Sequence, residues 1–352
     1  MRGEVSLEKY QGKTGGWLRA DGPQSDIVIS SRVRLARNIK DIPFSLGASE
    51  EDLKQVVELF QQAFPKSMYL ANADFLELKE ISELDQLFLA ERHLISHELS
   101  RSQHGCVAIG DKEMVGIMIN EEDHLRLQVM VSGLQPLPAW QILDRIDDEL
   151  AHNLEYAVSP RWGYLTACPT NVGTGMRASV MLHLPALVLT EQIKKMPKAI
   201  AQLGLAIRGF YGEGTSSLGD FFQISNQITL GQKEEEIVDN IEKIVSQIVE
   251  HERKAEQILF KRNPLKIKDR IHRAYGVLLN ARLISSNEAM NLLSSLRLGI
   301  RMKILEGIGF DVLNELIIII QPAHIQKWAG KILNEEERDA VRADIIRRKI
   351  AN

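Results

Sequence analysis

Cys168-Pro169-Thr170-Asn171-Val172-Gly173-Thr174-Gly175-Met176-Arg177 is the stretch on which the reading of this chain turns. A thiol stands at one end and a guanidinium at the other, with a proline and two glycines between them. A run so rich in turn formers and so poor in apolar bulk makes a bend rather than a core. It can hold a reactive thiol and a phosphate-binding cation on one rigid turn, which points to a nucleotide or phosphoryl site. Upstream, Asn120-Glu121-Glu122-Asp123-His124-Leu125-Arg126 sharpens that reading by setting three carboxylates just ahead of another arginine.

The flanks of both stretches read as sheet. Residues 163–167 lead into the loop as a strand, and 177–185 alternate Val180, Leu182 and Leu184 against Ser179, Met181 and His183, the pattern of a half-buried strand. Residues 106–109, 114–119 and 125–131 are further strands, the last two joined by the charged tip 120–124 as a hairpin. Strands at 205–210 and 221–229 enclose a glycine-rich loop, 209–219. Helices are expected at 49–64, with Ser49 as N-cap and Pro65 as stop, at 81–99, and at 187–203 with a kink near Pro197. Beyond Gly231 the pattern is helical, beginning with a long amphipathic helix at 234–261 and including the capping box Ser285-Ser286-Asn287-Glu288. The fold class is α+β: an antiparallel sheet flanked by helices, followed by a C-terminal all-helical domain. The expected division is a flexible segment at 1–25, a catalytic domain at 26–255, and a helical domain at 256–352 serving regulation, dimerisation or partner binding.

Composition bounds the function. The 352 residues suffice for about two domains. A formal charge of −4 provides no field for nucleic acid or anionic membrane. The two cysteines, Cys106 and Cys168, form no CxxC, which excludes a disulfide framework and a thiolate zinc site and fits a reducing, cytoplasmic setting. The longest apolar run, 316–320, is too short to span a bilayer, and residues 1–22 lack an apolar signal core.

Two further stretches carry chemistry. In Ser30-Ser31-Arg32-Val33-Arg34 the arginines alternate, so on a strand both point to one face. Two guanidinium groups together are costly unless they meet an anion, and phosphate suits them; the alternative is a solvated strand face. Arg208-Gly209-Phe210-Tyr211-Gly212-Glu213-Gly214 opens the glycine-rich loop, where backbone can approach a ligand closely; the alternative is a mobile surface loop. There is no GxxxxGK[ST] and no HRD or DFG set. Cys106 sits in an apolar strand and reads as structural.

In this order, Ser30-Ser31-Arg32-Val33-Arg34, Glu91-Arg92-His93-Leu94-Ile95-Ser96, residues 120–126, 168–177 and 208–213 resemble the phosphagen (guanidino) kinase family. The resemblance implies ATP as donor, with Mg²⁺ held mainly through the nucleotide and water. It implies a nest of Arg32, Arg34, Arg126, Arg177 and Arg208 on the phosphates, with His93 near the nucleotide. Further nucleotide contacts would come from Ser30, Ser31, Val33, Ala178, Ser179, Val180, Met181, Gly209, Phe210, Tyr211, Gly212 and Glu213. It implies Glu122 as the carboxylate that orients and deprotonates the acceptor guanidinium, preferred to Glu121 because it stands four residues before the motif arginine. Glu213 is the second carboxylate, and Cys168 the thiol beside the reacting nitrogen, so Glu121, Glu122, Cys168 and Glu213 would surround the acceptor. The residue types suit the reaction: a guanidinium with a pKa of ~12.5–13.8 is a poor nucleophile until a proton leaves, and phosphoryl transfer needs mainly positioning and charge stabilisation.

Family members acting on free metabolites carry a helical domain of about a hundred residues, within the usual size of one domain, ahead of the SSRVR stretch. Here 29 residues precede Ser30, and Tyr211 and Gly214 replace an arginine and a histidine of the family pattern. Both departures resemble the bacterial protein-arginine kinase branch. So does Arg338-Asp339-Ala340-Val341-Arg342-Ala343, which is similar to the RDxxRA motif with which that branch binds phosphoarginine as an allosteric signal. On a helix Arg338 and Arg342 share a face, the alternative being a solvated face with a local ion pair. The implied function is ATP-dependent phosphorylation of arginine side chains in proteins, marking them for the ClpC/ClpP protease and inactivating the CtsR repressor, with McsA as activator and a homodimer as assembly. The alternatives are a kinase of free arginine and a non-catalytic adaptor for arginine-rich partners; the intact arginines, Glu122 and Cys168 argue against the adaptor.

Overall fold

The computed structural model describes residues 7–102, 104–209 and 217–351. Strands and helices are interspersed up to residue 226, and the chain is helical beyond. The strands are β1 (Val28–Arg37), β2 (Asp74–Glu77), β3 (Cys106–Ile109), β4 (Val115–Ile119), β5 (Leu125–Ser132), β6 (Val158–Ser159), β7 (Gly163–Tyr164), β8 (Met176–His183), β9 (Leu205–Gly209) and β10 (Phe221–Asn226). β6 and β7 pair with each other, and the others form one sheet ordered β2-β3-β4-β5-β1-β8-β10-β9. Every pairing in it is antiparallel, with β1 central between β5 and β8.

The two-residue period of these strands sorts side chains between two faces. Val33, Leu35, Ile117, Leu127, Val129 and Val180 turn into the main core. That face is covered by α2 (Glu50–Ala63), α4 (Pro136–Ala151) and α7 (Glu234–Arg262), which contribute Val56, Phe60, Leu143, Ile146, Ile241 and Val245. Ser49 caps α2 as expected: its hydroxyl accepts the Asp52 N–H at 3.2 Å, and the Asp52 carboxylate accepts the Ser49 N–H at 2.8 Å. Other short helices are α1 (Glu8–Gln11), α3 (Glu83–Glu91), α5 (Pro185–Leu189) and α6 (Met196–Ala201). The expected single kinked helix at 187–203 is thus two pieces, separated where Glu191 takes a left-handed φ of 59°. Likewise α3 stops short of 99, because His93 adopts φ 60° and turns the chain.

The C-terminal helices are α8 (Pro264–Asn280), α9 (Ser286–Arg301), α10 (Phe310–Ile319), α11 (Pro322–Ala329) and α12 (Glu335–Ala351). The expected boundary at 255/256 falls inside α7, which runs on until Asn263-Pro264 denies it another backbone N–H. These helices pack on the second sheet face, where Ile29, Met130, Met181 and Phe221 join Leu293, Leu296, Leu313 and Ile317. Arg301 of α9 pairs at the seam with Glu252 (3.0 Å) and Glu256 of α7. Arg297 donates to the carbonyls of Asp26 (3.1 Å) and Ser25 (2.7 Å). Residues 7–25 also differ from the expectation of a loose segment. Leu7, Tyr10, Trp17 and Leu18 are buried, Arg92 donates to the Lys13 carbonyl at 2.8 Å, and Asn314 to that of Leu18 at 3.1 Å. Local glycines hide an order that tertiary contacts impose. Among the described residues no helix is long and apolar enough to cross a membrane.

Candidate active site

The second face of the sheet, beyond the cover of the C-terminal helices, carries the arginines. Arg34 stands opposite Gln128 on β5 and Arg177 on β8. Arg32, two residues along, stands opposite Met130 and Ser179. Arg126 lies opposite Ala36, and Arg208 opposite Gln223 at the β9 edge. Burial lowers Arg32 to about 9, with Arg126 and Arg177 adding repulsion. Arg34 is pushed down by burial first and then by repulsion from Arg32, Arg126 and Arg177, and burial followed by Arg208 and Arg126 lowers Arg177. Guanidinium groups keep their protons in proteins, so these shifts express the cost of packing like charges together. The buried Nε atoms of Arg34 and Arg177 have no hydrogen-bond partner among the described residues. A polyanion would satisfy both the charge and the orphaned donors.

The hairpin tip between β4 and β5 separates its three acids. Glu121 is ion-paired with Arg126. Burial would raise it, but Arg126, Ser96 and the Glu122 N–H hold it below the ordinary range. Glu122 turns out to the Cys168 thiol; partial burial, then Asp123 and Glu121, raise its pKa against the opposing pull of Arg126 and Cys168. Asp123 turns in and is 3% exposed. One of its oxygens accepts both Asn38 Nδ2 (2.6 Å) and the Ala167 N–H (2.6 Å). Asn38, the first residue past β1, also donates to the Leu165 carbonyl at 3.1 Å and accepts the His124 N–H at 2.9 Å. Asn38 and Asp123 therefore clamp the tip that carries Glu122 to the segment that carries Cys168.

The loop at 168–177 is set from several sides. Cys168 Sγ lies 2.9 Å from Thr170 Oγ1. Thr229 Oγ1 donates to the carbonyls of Thr170 (3.0 Å) and Val172 (2.7 Å). Arg37, buried against Asp147 at 2.7 Å, donates to the Thr174 carbonyl at 2.8 Å and lies 3.5 Å from the centre of the Tyr164 ring. Gly173 has φ +114°, and a Cβ there would stand 2.5 Å from the Thr229 carbonyl oxygen, so only glycine closes this bend.

Of the expected nucleotide contacts, Ser30, Arg32, Arg34, Ser179 and Met181 are on or beside the arginine face. Ser31, Val33, Ala178 and Val180 are not: Val33, Ala178 and Val180 are in the core, and Ser31 Oγ donates to the Gly133 carbonyl at 2.8 Å. They can meet a ligand only through backbone, as period-two alternation requires. Gly209 ends β9, whereas Phe210, Tyr211, Gly212 and Glu213 lie outside the described residues. His93 meets Trp17 edge-on, with ring centres 5.6 Å apart; burial first, then Arg32, lowers it to about 3, so it is neutral. Asn38, Asp123, Arg37 and Trp17 had no reading as site residues; only Asp123 lies in a motif, and its partners are distant in sequence. On α12, Arg338 Nη1 donates to the Leu333 carbonyl at 2.8 Å. Arg342 is buried, donating to the carbonyls of Ile320 (2.9 Å) and Ile284 (2.8 Å) and paired with Asp339. Arg342 is thus engaged in holding helix ends, and Ala343 is in the C-terminal core.

Residues 55–255 match the family profile described as ATP:guanido phosphotransferase, C-terminal catalytic domain. The chain belongs to the ATP:guanido phosphotransferase family. Residues 264–352 match the profile described as Protein-arginine kinase McsB C-terminal domain. A protein-arginine kinase of Geobacillus sp. (strain WCH70) is 46% identical over 350 residues, 98% of this chain and 97% of that protein. One from Pelotomaculum thermopropionicum is 50% identical over 340 residues, 96% of each. These matches put the chain in the protein-arginine kinase branch of that family. Among solved structures it resembles lombricine kinase, with TM-score 0.58 and 25% identity over 70% of each chain. The substrate-free duplicated taurocyamine kinase of Schistosoma mansoni has TM-score 0.59 at 22% identity, covering 74% of this chain and 40% of that one; at that identity it attests the fold alone.

Proposed function

We propose that this chain transfers the γ-phosphoryl group of ATP to arginine side chains of proteins. The observation that carries the reading is the adjacency of two opposite environments. A crowded cationic face (Arg32, Arg34, Arg126, Arg177) borders an acidic, thiol-bearing recess (Glu122, Cys168) across the Glu121–Arg126 pair. The arginines bind the phosphates and neutralise charge that spreads over the transferred group. Glu122 aligns the acceptor guanidinium and takes its proton as the nitrogen–phosphorus bond forms and the bond to the ADP oxygen breaks. The raised Glu122 carboxyl is a better proton acceptor than an ordinary glutamate. Cys168 borders the guanidinium and orients it with Glu122. Mg²⁺, held mainly through the nucleotide and water, would supply charge neutralisation on the phosphates when bound; the chain's own share of that neutralisation falls to the arginines.

The names of the relatives support a protein acceptor. The wider role that fits is cytoplasmic: arginine-phosphorylated proteins delivered to ClpC/ClpP, CtsR inactivated, McsA as activator, a homodimer as assembly, and phosphoarginine sensed at Arg338, Asp339, Arg342 and Ala343. In that sensing Arg338 is the adaptable member, because Arg342 is committed to backbone carbonyls. The deciding experiment offers Mg-ATP with either free L-arginine or an arginine-rich protein and looks for an acid-labile phosphoramidate. Product on the protein supports the reading. Product on free arginine alone overturns it in favour of a metabolite kinase, and no product on either leaves the adaptor.

A further inference from the structure

Trp17 lies outside the residues matched by either family profile, 55–255 and 264–352. It is nevertheless 1% exposed and sits at the end of the arginine face. There it lines a slot with Arg32, His93, Met130, Met181 and Gln223. The slot is narrow, about 20 Å³, room for roughly one water as it stands. Its walls are less cationic than the rest of that face: an indole, a neutral imidazole, two thioethers, a side-chain amide and the hydroxyls of Ser30 and Ser179, with Arg32 the one guanidinium among them. The buried Trp17 Nε1 has no hydrogen-bond partner among the described residues. That N–H edge lies beside Gly15, whose Cβ position is 3.0 Å from Nε1 and 3.2 Å from Glu113 Oε2, so what Trp17 offers the slot is the ring itself.

We infer that Trp17 is a wall of the base-binding end of the nucleotide site, so that the N-terminal segment sets recognition of the nucleotide base. The inference rests on ATP as the phosphoryl donor. A planar, uncharged heterocycle whose phosphates reach Arg32 and then Arg34 and Arg177 matches the order of these surroundings. Met130 and Met181, flexible and polarizable, can part to admit a ring, and neutral His93 adds no charge against it. Two anchors hold the segment in place beside the slot. Arg92, next to His93, is paired with Glu113 and donates to the Lys13 carbonyl at 2.8 Å. Asn314 of α10 holds the Leu18 carbonyl at 3.1 Å.

The test titrates the full chain with Mg-ATP, Mg-GTP and magnesium tripolyphosphate, following heat and tryptophan emission. The wild-type protein should show a saturable emission change with ATP that Trp17→Phe lacks. Trp17→Leu should bind ATP about tenfold more weakly, the scale of losing one base–aromatic stack. It should hold tripolyphosphate, which meets the arginines alone, within about twofold of wild type, and its preference between ATP and GTP should shrink. Wild-type ATP affinity in Trp17→Leu, or equal loss of ATP and tripolyphosphate, overturns the inference and leaves the function standing. ATP binding without any emission change from Trp17 does the same, and this arm needs only Trp17→Phe should Trp17→Leu fail to fold. Absence of ATP binding by the wild-type chain overturns the function and the inference together.

Discussion

Asp123→Ala is the substitution that most directly probes how the acceptor recess is built. In the native site one buried Asp123 oxygen accepts two hydrogen bonds of 2.6 Å, from Asn38 Nδ2 and the Ala167 N–H. Hydrogen bonds to a charged acceptor contribute about 1.5–3 kcal/mol each. Asn38 keeps its bond to the Leu165 carbonyl, and the half-buried Ala167 N–H can recruit water, so the two losses are not fully additive. The net expectation is about 3 kcal/mol less stability, an amount a domain of ordinary stability survives. Asp123→Asn retains an oxygen in the same place and should cost about 1 kcal/mol. The functional effect should be larger than the structural one, because the clamp joins the segments carrying Glu122 and Cys168. A misplacement of about 1 Å between reacting groups costs roughly a hundredfold in rate. Urea unfolding gives the stability change, turnover on an arginine-rich protein gives the rate, and calorimetry gives Mg-ATP affinity, which should hold because no arginine of the cradle touches Asp123. Alkylation of Cys168 by iodoacetamide should quicken as the loop loosens, with buried Cys106 as the slow internal control. Wild-type turnover and wild-type alkylation in a folded Asp123→Ala protein would refute the clamp.

Glu122→Gln should nearly abolish transfer while leaving Mg-ATP affinity intact; a fully active variant would remove Glu122 as the base. Because burial, Asp123 and Glu121 raise the Glu122 carboxyl, transfer should decline as pH falls through a value above the ordinary glutamate range, and Asp123→Asn should move that acid limb of kcat/KM to lower pH. Arg342→Ala leaves the carbonyls of Ile320 and Ile284 without their donors and should destabilise by about 2–4 kcal/mol. Arg338→Ala should cost about 1 kcal/mol or less while removing any response to added phosphoarginine; thermal melts and activation assays separate the two. Glu252, raised by burial to about 7 against the pull of Arg301, binds its proton more tightly folded than unfolded. Its contribution is therefore fully present below about 4.5, the unfolded value, and is lost as pH rises through about 7. Glu252→Gln should flatten the pH dependence of urea unfolding across that window, and an unchanged slope would contradict the assignment.

What was legible in the chain, and what was not, follows the range of the forces involved. Ser49 as a cap, the hairpin around 120–124 and the alternation of Arg32 with Arg34 are decided within a few residues, and all are as read. The three adjacent acids were not separable in that way: like charges at neighbouring positions look equivalent until Arg126, Cys168 and Asn38 arrive from different elements and give each a different surrounding. Arg338 and Arg342 show the same limit. Their spacing puts them on one helix face, yet only the carbonyls of Ile284 and Ile320 reveal that Arg342 is a structural strut.

The central strand shows why fold and site are nonetheless read together. On β1 the period that sends Val33 and Leu35 into the core sends Arg32 and Arg34 to the opposite face. A one-residue slip in register would bury two guanidinium groups among aliphatic side chains and expose the core pair. The cost of burying those charges unpaired far exceeds the small energies that separate alternative registers. The cationic face that a phosphate requires is therefore also a device that fixes the pairing of β1 with β5 and β8. Repulsion within the arginine cluster is tolerated because relieving it through a shift of the strand would cost the core.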